Sequence, residues 1–282
     1  MLRRQKALLY LIFVLQQYKL NITKTYLDKL LFLLKKETNI DKSMKFYNFF
    51  PYNYGPFSNQ FYFDLNDLQN RGYISEKLEL MIPIDLIEVD LSKHEKQLID
   101  GIVNKYRLYD AKKITNHVYL SYPEYTSKSV LKNRPKTCHD SEVFSVGYEN
   151  KDIDLFLDLL IQNYIDVVVD VRANPFSMNL AFTKKKLSNY LKKVGIEYLH
   201  IPELGINGKY RKELKDDKDY AELFAFYSRY ILPKQMTKVE ELFELGKRKR
   251  VALMCFEQDK NHCHRSVLSK ILEEYGLKVS HL

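Results

Sequence analysis

The sequence predicts two domains, and the C-terminal one, residues 142–282, is an α/β domain with a mainly parallel sheet and helices on both faces. Strand-like and helix-like segments alternate along this half, and such alternation produces parallel strands joined by right-handed crossovers. Val167-Val168-Val169 is a continuous β-branched run, typical of a strand covered on both faces. Helical segments predominate earlier in the chain, so residues 1–131 are predicted to form a mostly helical domain.

Length and charge are consistent with this division. A chain of 282 residues with 45% hydrophobic residues is long enough for two globular domains. The formal net charge is +9, and residues 1–135 contain 21 Lys/Arg against 14 Asp/Glu. This excess favours a polyanionic partner for the N-terminal domain, either nucleic acid or an acidic surface. The alternative is a lysine-rich solvated face with no partner.

The cysteine count and the N-terminus predict a cytoplasmic protein. Three cysteines, Cys138, Cys255 and Cys263, provide no disulfide framework, which indicates a reducing compartment. Residues 7–15 are apolar and follow basic residues, as in a signal peptide, but no small-residue cleavage site follows them. The run is also shorter than the ~18 residues of a membrane span. We therefore expect a buried core helix and no membrane association.

The N-terminal elements have the order of a winged helix. Asn21 or Thr23 can cap a helix that ends near residue 36, and Ser58 can cap a second one that ends at Gly72. Residues 73–82 then resemble a strand and a wing. Two further helices are predicted at residues 92–107 and 110–121. The segment 132–141 contains Pro and no apolar residue, and is predicted to be a linker.

Three motifs of this domain resemble those of the SocA-type antitoxin domain family over about 125 residues. They are Lys29-Leu30-Leu31-Phe32-Leu33, Tyr54-Gly55-Pro56-Phe57-Ser58, and the segment from Asp64-Leu65 to Gly72-Tyr73-Ile74. The resemblance implies binding of DNA or of a partner protein, in a toxin–antitoxin or defence setting. The alternative for aromatic residues such as Tyr54 and Phe57 is that they fill a small core.

The C-terminal strands locate the candidate site, because ligands of parallel α/β sheets bind beyond the carboxyl ends of the strands. The predicted strands are Val143–Tyr148, Val167–Arg172, Tyr198–Ile201, Val251–Glu257 and Lys278–Leu282. The predicted helices are Ile153–Asn163, Lys184–Val194, Tyr220–Ile231, Met236–Leu245 and Arg265–Tyr275. The polar residues at the strand ends are therefore the site candidates.

Two carboxylates and a thiol are the candidate catalytic residues: Asp170, Glu257 and Cys263. Asp170 and Arg172 share one strand face, as do Cys255 and Glu257, because side chains alternate along a strand. If these strands are neighbours, all four side chains are expected to converge. The alternatives are an Asp170–Arg172 ion pair that anchors the next loop and a Cys255 that packs in the core.

Cys263-His264-Arg265 lies where a loop becomes a helix. A thiol at this place has a lowered pKa, and the free N–H groups and an arginine fork can hold an anion. Three interpretations compete, namely a phosphate cradle, a nucleophilic cysteine, and a metal site that also uses Cys255 or His200. The sequence contains no CxxC or HExxH spacing, so no metal and no cofactor is predicted. It also lacks the backbone donors that phosphatase loops place between Cys and Arg, which favours the phosphate cradle.

The C-terminal half resembles the family called domain of unknown function 488 over about 140 residues. The matching motifs are Ser145-Val146-Gly147-Tyr148, Asp170-Val171-Arg172 with Pro175 and Ser177, Tyr198-Leu199-His200 with Leu204-Gly205, Cys255-Phe256-Glu257, and Cys263-His264-Arg265. The resemblance implies an α/β fold and a shared polar site, without an established reaction. The predicted ligand-binding residues are Gly147, Tyr148, Arg172, Ser177, His200, His264 and Arg265.

The functional hypothesis is a nucleic-acid-associated protein whose C-terminal domain binds a phosphorylated ligand, a nucleotide or nucleic acid. In its enzymatic form the domain hydrolyses or transfers part of that ligand. The alternative is a non-enzymatic regulator that senses a ligand and binds DNA or a partner protein through its N-terminal domain. The absence of a glycine-rich phosphate loop disfavours an ordinary nucleotide hydrolase or a dinucleotide enzyme.

Overall fold

The computed structural model describes residues 1–87, 89–131, 140–211, 214 and 216–282. The chain divides into two compact units, Met1–Arg134 and Pro135–Leu282. Residues 132–139 of the predicted linker lie outside the described residues. Among the described residues, no helix is both long enough and apolar enough to cross a membrane.

The N-terminal unit is mostly helical. Its helices are α1 (Arg3–Gln17), α2 (Lys24–Glu37), α3 (Ile40–Ser43), α4 (Asn59–Asn70), α5 (Lys93–Tyr106) and α6 (Ala111–Ser121). Two predicted caps are present, because the side chain of Thr23 accepts a hydrogen bond from the Tyr26 N–H and that of Ser58 accepts one from the Phe61 N–H. Most apolar residues of α1, such as Leu8, Leu11 and Ile12, are buried in the core of this unit, as predicted.

The β structure of this unit differs from the winged-helix prediction. A hairpin precedes α4, with β1 (Phe50–Tyr52) antiparallel to β2 (Gly55–Phe57). Gly55 has a φ of 89° beside the hairpin turn, a conformation that glycine tolerates. After α4, the chain reverses at Leu78, where φ is 65°, and residues 73–82 pair through an antiparallel bridge between Ile74 and Leu80. Backbone hydrogen bonds from Ser75 to Glu79 and from Met81 to Tyr73 lie on either side of this bridge. This segment is thus a short antiparallel pairing without a full strand, and the winged-helix resemblance stays a prediction.

The C-terminal unit contains the predicted parallel sheet. Its strands are β3 (Val143–Gly147), β4 (Val167–Asp170), β5 (Glu197–His200), β6 (Val251–Cys255) and β7 (Val279–His281). They lie in the order β5–β4–β6–β3–β7, and each neighbouring pair is parallel. The helices are α7 (Ile153–Gln162), α8 (Lys184–Lys193), α9 (Asp217–Phe226), α10 (Met236–Gly246) and α11 (Arg265–Glu274).

Both faces of this sheet are covered, because every residue of β3, β4 and β6 is buried. One face packs Val143, Val167 and Val251 against residues of α10 and α11 such as Leu242 and Leu268. The α/β architecture predicted from the sequence is therefore confirmed. At the carboxyl edge, β6 separates β3 from β4, so the loops after these three strands meet there.

Candidate functional site

The register of the sheet separates the predicted site residues into two groups. Asp170 is paired with Met254, so Asp170 lies on the opposite face of the sheet from Cys255. The strands β4 and β6 are neighbours, but the expected convergence of both carboxylates on one point is wrong. Asp170 and Arg172 lie on one side of the sheet edge, and Cys255 and Glu257 lie on the other.

The first group is a buried ion pair. Arg172 donates hydrogen bonds from Nε to Asp170 Oδ1 at 2.8 Å and from NH2 to Oδ2 at 2.6 Å. Asp170 is fully buried, and Arg172 is 6% exposed. The Tyr198 hydroxyl also donates to Asp170 Oδ2 at 2.6 Å, so both carboxylate oxygens have partners. This is the anchoring ion pair of the alternative interpretation, and its geometry does not favour Asp170 as a catalytic acid or base.

Three further candidates, Tyr148, His200 and Ser177, lie on the strand ends and loops of this unit. Arg172 donates to the Tyr148 hydroxyl at 2.8 Å and to the Phe182 carbonyl at 3.0 Å, which leaves the guanidinium with protein partners on each nitrogen. His200 contacts the Arg172 carbonyl through Nε2 at 2.9 Å and Lys184 through Nδ1 at 3.2 Å. Ser177 is buried in the loop after β4. The geometry therefore gives His200 a structural role.

The second group contains two thiols and a histidine, which we call the thiol–imidazole cluster: Cys255, Cys263 and His264. Cys255 ends β6, and the other two residues immediately precede α11. The Nδ1 atom of His264 lies 3.8 Å from Cys255 Sγ and 3.9 Å from Cys263 Sγ. All three residues are buried, with exposed fractions of 2%, 0% and 1%.

The orientation of His264 is fixed by the main chain immediately after β4. Its Nε2 lies 3.1 Å from the Val171 carbonyl oxygen, which only accepts hydrogen bonds. Nε2 therefore carries the proton of a neutral ring, and the lone pair of Nδ1 is directed to the two sulfurs. The Tyr227 ring packs edge-on against the imidazole, with ring centroids 5.6 Å apart.

Glu257 and Arg211 extend the cluster towards solvent. Glu257 Oε2 lies 3.2 Å from Cys255 Sγ, and Glu257 Oε1 accepts a hydrogen bond from Arg211 NH1 at 2.6 Å. The side chain of Arg211 is 34% exposed and that of Glu257 is 13% exposed. The sequence interpretation did not include Arg211. The available sequence signal for Arg211 was its place in a basic loop after β5, with the sequence Gly208-Lys209-Tyr210-Arg211.

The two cysteines have the opposite acidities to those predicted. A hydrogen bond from Cys263 and the charge and hydrogen bond of His264 together lower the pKa of Cys255 to about 5, against the effect of burial. Burial and the neighbouring Cys255 sulfur raise the pKa of Cys263 well above that of a free thiol. Cys255, which was expected to be an inert core residue, is therefore the acidic thiol. At Cys263, burial and the second sulfur outweigh the lowering expected at a helix start, and its catalytic role stays a prediction.

The charges around the thiols also shift the pKa values of His264 and Glu257. Burial alone would lower the pKa of His264, but the Cys255 sulfur raises it by charge and by hydrogen bonding. Burial would raise the pKa of Glu257, but Arg211 and the two thiols bring it to about 2. Glu257 is therefore a carboxylate at neutral pH and has no proton to donate as a general acid.

Arg265 holds the loop after β6 in place. Its side chain is 1% exposed and donates from Nε to Ser145 Oγ at 2.7 Å. The two terminal nitrogens donate to the carbonyls of Glu257 at 2.6 Å and Gln258 at 3.0 Å. Gly147 permits this arrangement, because a Cβ atom there would lie 1.9 Å from the Glu257 carbonyl oxygen. The guanidinium of Arg265, the main anion donor of the predicted phosphate cradle, is therefore bonded to protein oxygens.

Comparison with known proteins gives a family match within the C-terminal unit. Residues 152–272 match the family model described as Domain of unknown function DUF488, which supports the resemblance of this half. The matched segment includes the whole thiol–imidazole cluster. No curated protein and no solved structure matched the chain. The SocA-type resemblance of the N-terminal unit stays a prediction.

Proposed function

Taking the C-terminal unit as a DUF488 domain, we propose that it binds a phosphorylated, nucleotide-like ligand at the carboxyl edge of its sheet and hydrolyses or transfers part of it. One observation carries this proposal. The guanidinium of Arg211 is partly exposed and donates a hydrogen bond to Glu257, which adjoins the buried thiols and imidazole. An anion binder beside reactive side chains is the arrangement that group transfer requires.

Arg211 is the arginine of this edge that supports anion binding. The guanidinium groups of Arg172 and Arg265 are buried and bonded to protein oxygens. Within the described part of the chain, the guanidinium of Arg211 makes a hydrogen bond to Glu257 alone. Its planar fork keeps further N–H groups for a phosphate or carboxylate.

The pair between Arg211 and Glu257 connects ligand binding with chemistry. A phosphate oxygen at Arg211 competes with Glu257 for the guanidinium and so weakens the pair at 2.6 Å. The carboxylate is then available to accept a proton from a water molecule or from a ligand hydroxyl. In this proposal, Glu257 acts as a general base when the anion is bound, and Arg211 positions that anion.

Thermal-shift titrations of the full chain test the anion site. Phosphate, pyrophosphate and nucleotides are compared with chloride at matched ionic strength, and a true ligand stabilises by roughly 2.7 kcal/mol at a hundred times its dissociation constant. Arg211→Lys should weaken this effect because lysine lacks the fork. Arg229→Lys, an exposed arginine of the same unit, is the control and should leave it unchanged. The proposal is contradicted if none of these anions raises the melting temperature above the chloride control. It is also contradicted if Arg211→Lys shows the same stabilisation as the wild type.

Turnover separates an enzyme from a ligand sensor. A screen of nucleotides and nucleic acids should yield product with the wild-type chain. Glu257→Gln should reduce turnover and keep the fold and the anion-induced stabilisation. A saturable thermal shift without product from any of these compounds would instead support the non-enzymatic regulator.

For the N-terminal unit we propose electrostatic contact with nucleic acid, based on its 21 Lys/Arg against 14 Asp/Glu in residues 1–135. In a winged helix, the helix after Ser58 would be the candidate to contact nucleic acid, but α4 does not suit this role because Asn59–Asn70 contains two aspartates and no Lys or Arg. Lys112 and Lys113 are exposed on α6 and have no ion-pair partner among the described residues. A partner protein in a toxin–antitoxin or defence setting is the remaining hypothesis for this unit.

Charge reversal tests this contact in the full chain. Lys112→Glu combined with Lys113→Glu should weaken binding to duplex or single-stranded nucleic acid and reduce its salt dependence. The matched control, Lys185→Glu with Lys186→Glu, reverses two adjacent exposed lysines of α8. Equal effects of the two double variants, or binding that does not change with salt, would refute a contact through α6.

A further inference from the structure

The spacing within the thiol–imidazole cluster is that of ligands around an ion. The two sulfurs lie 3.8 and 3.9 Å from His264 Nδ1, and the three ligand atoms are all within 4.8 Å of one another. In a tetrahedral zinc site, bond lengths of about 2.3 Å to sulfur and 2.0 Å to nitrogen place these ligand atoms about 3.6 Å apart. Nδ1 has a single lone pair, so it cannot accept good hydrogen bonds from both thiols, whereas one ion can bind all three atoms.

The backbone brings the three ligands together from two elements. Cys255 comes from the end of β6, and Cys263 and His264 are adjacent in the sequence. Adjacent residues converge here because Cys263 is extended, with φ −132° and ψ 134°, whereas His264 is already helical, with φ −59° and ψ −19°. In a regular strand these two side chains would point to opposite faces.

The outer contacts of the cluster are those of a metal site. His264 donates its Nε2 proton to the Val171 carbonyl, and this bond orients the ring and leaves Nδ1 as the ligand atom. Arg265 NH1 lies 3.7 Å from Cys263 Sγ and offsets the negative charge of a thiolate. Glu257 Oε2, at 3.2 Å from Cys255 Sγ, is a further oxygen next to the three ligands.

We propose that the thiol–imidazole cluster binds one divalent transition-metal ion, with zinc as the preferred occupant. Two thiolates and one imidazole are a soft to borderline ligand set that suits zinc and excludes magnesium and calcium. Both sulfurs bind as thiolates, so any proton that they still carry is released to solvent. Sequence spacing did not reveal the site, since its cysteines are eight positions apart and come from a strand end and a helix start.

This inference goes beyond the proposed function and does not depend on it. The ligand geometry stands without any anion at Arg211, and an anion site at Arg211 stands without a metal ion. If both are present, a zinc ion held by these three protein ligands would supply a Lewis acid beside the bound anion.

Metal analysis of the full chain tests the site directly. Wild-type protein from zinc-supplemented cultures should contain about one zinc per chain, as expected for a complete three-residue ligand set. Cys255→Ser, Cys263→Ser and His264→Ala should each lose most of it. Two control variants, Cys138→Ser and His262→Ala, should retain the zinc. His262 is an exposed histidine two positions from His264, and Cys138 is the cysteine of the predicted linker. Circular dichroism of each variant reports whether it is folded.

Cobalt substitution keeps the test valid if ligand variants fail to fold. Wild-type protein stripped of metal and titrated with Co²⁺ under reducing conditions should show thiolate-to-metal charge transfer and visible bands of tetrahedral intensity. Arg211→Lys should show the same spectrum, and this result separates the metal site from the anion site. Reduced wild-type protein that takes up neither zinc nor cobalt overturns the proposal. The proposal is also overturned if cobalt binds without thiolate charge transfer, or if folded Cys255→Ser and Cys263→Ser retain zinc.

Discussion

Replacing Asp170 by asparagine distinguishes a structural from a catalytic carboxylate. Asp170 Oδ1 accepts two hydrogen bonds from Arg172, through its main-chain N–H and its Nε. Oδ2 accepts two more, from Arg172 NH2 and the Tyr198 hydroxyl. Asparagine places an N–H₂ group where one of these oxygens accepts, and it leaves the Arg172 charge buried without a counter-ion.

The expected loss of stability is large. Removal of one partner from a buried ion pair costs about 3–5 kcal/mol, because the remaining charge stays out of water. For a domain of this size, 1 kcal/mol corresponds to about 2–4 °C in melting temperature. Asp170→Asn should therefore lower the melting temperature by about 6–20 °C. Asp170 is fully buried, so solvent offers little compensation.

Calorimetry of the full chain, with Glu240→Gln as the control, measures this effect. Glu240 is an exposed carboxylate on α10, and its neutralisation should change the melting temperature by less than about 2 °C, as for most surface substitutions. If Asp170→Asn keeps the wild-type melting temperature and loses turnover or ligand binding, Asp170 is a site residue and the structural assignment fails.

Two further substitutions test packing and electrostatics elsewhere in the chain. Gly147→Ala should destabilise the C-terminal unit by several kcal/mol in a denaturation assay, as expected for overpacking against backbone. The control is Gly101→Ala, in an uncrowded helix position, which should stabilise by about 0.5–1 kcal/mol. Equal effects of the two substitutions would contradict the close contact at Gly147. Glu95→Gln should cost about 1–2 kcal/mol near neutral pH, because Glu95 accepts hydrogen bonds from Arg3 and the Ser92 N–H. Burial raises the pKa of Glu95, but these donors give a net lowering. The stabilisation is therefore present above the pKa of an unfolded Glu, about 4.3, and should disappear as pH falls through the lower folded value; a pH-independent difference would refute it.

Local sequence patterns predicted the elements of the fold well. Caps at Thr23 and Ser58, the β-branched run of β4 and the alternation after residue 142 each depend on nearby residues. The hairpin of β1 and β2 was not predicted, because Gly55-Pro56 indicated only a chain stop. Proline is tolerated there since Pro51 is paired with Pro56 across the two strands.

The site was predictable as a set of residues and not as an arrangement. Period-two alternation correctly placed Cys255 with Glu257 and Asp170 with Arg172. It could not give the register between β4 and β6, and a shift of one residue moves a side chain to the other face. The partners of Arg265 are carbonyl oxygens of a loop, which have no signature in the side-chain sequence.

Two histidines donate hydrogen bonds to consecutive carbonyls just after β4, and these bonds preorganise the site. His264 is bound to the Val171 carbonyl from one side, and His200 contacts the Arg172 carbonyl from the other. The imidazole of His264 is therefore held in its rotamer and tautomer before a ligand arrives. Ordering a mobile side chain on binding costs about 0.5–1.5 kcal/mol, and folding has already removed that cost for His264. A ligand that needs Nδ1 of His264 meets a group already aimed at it, so its affinity should depend on the contacts it forms and little on rearrangement of the ring.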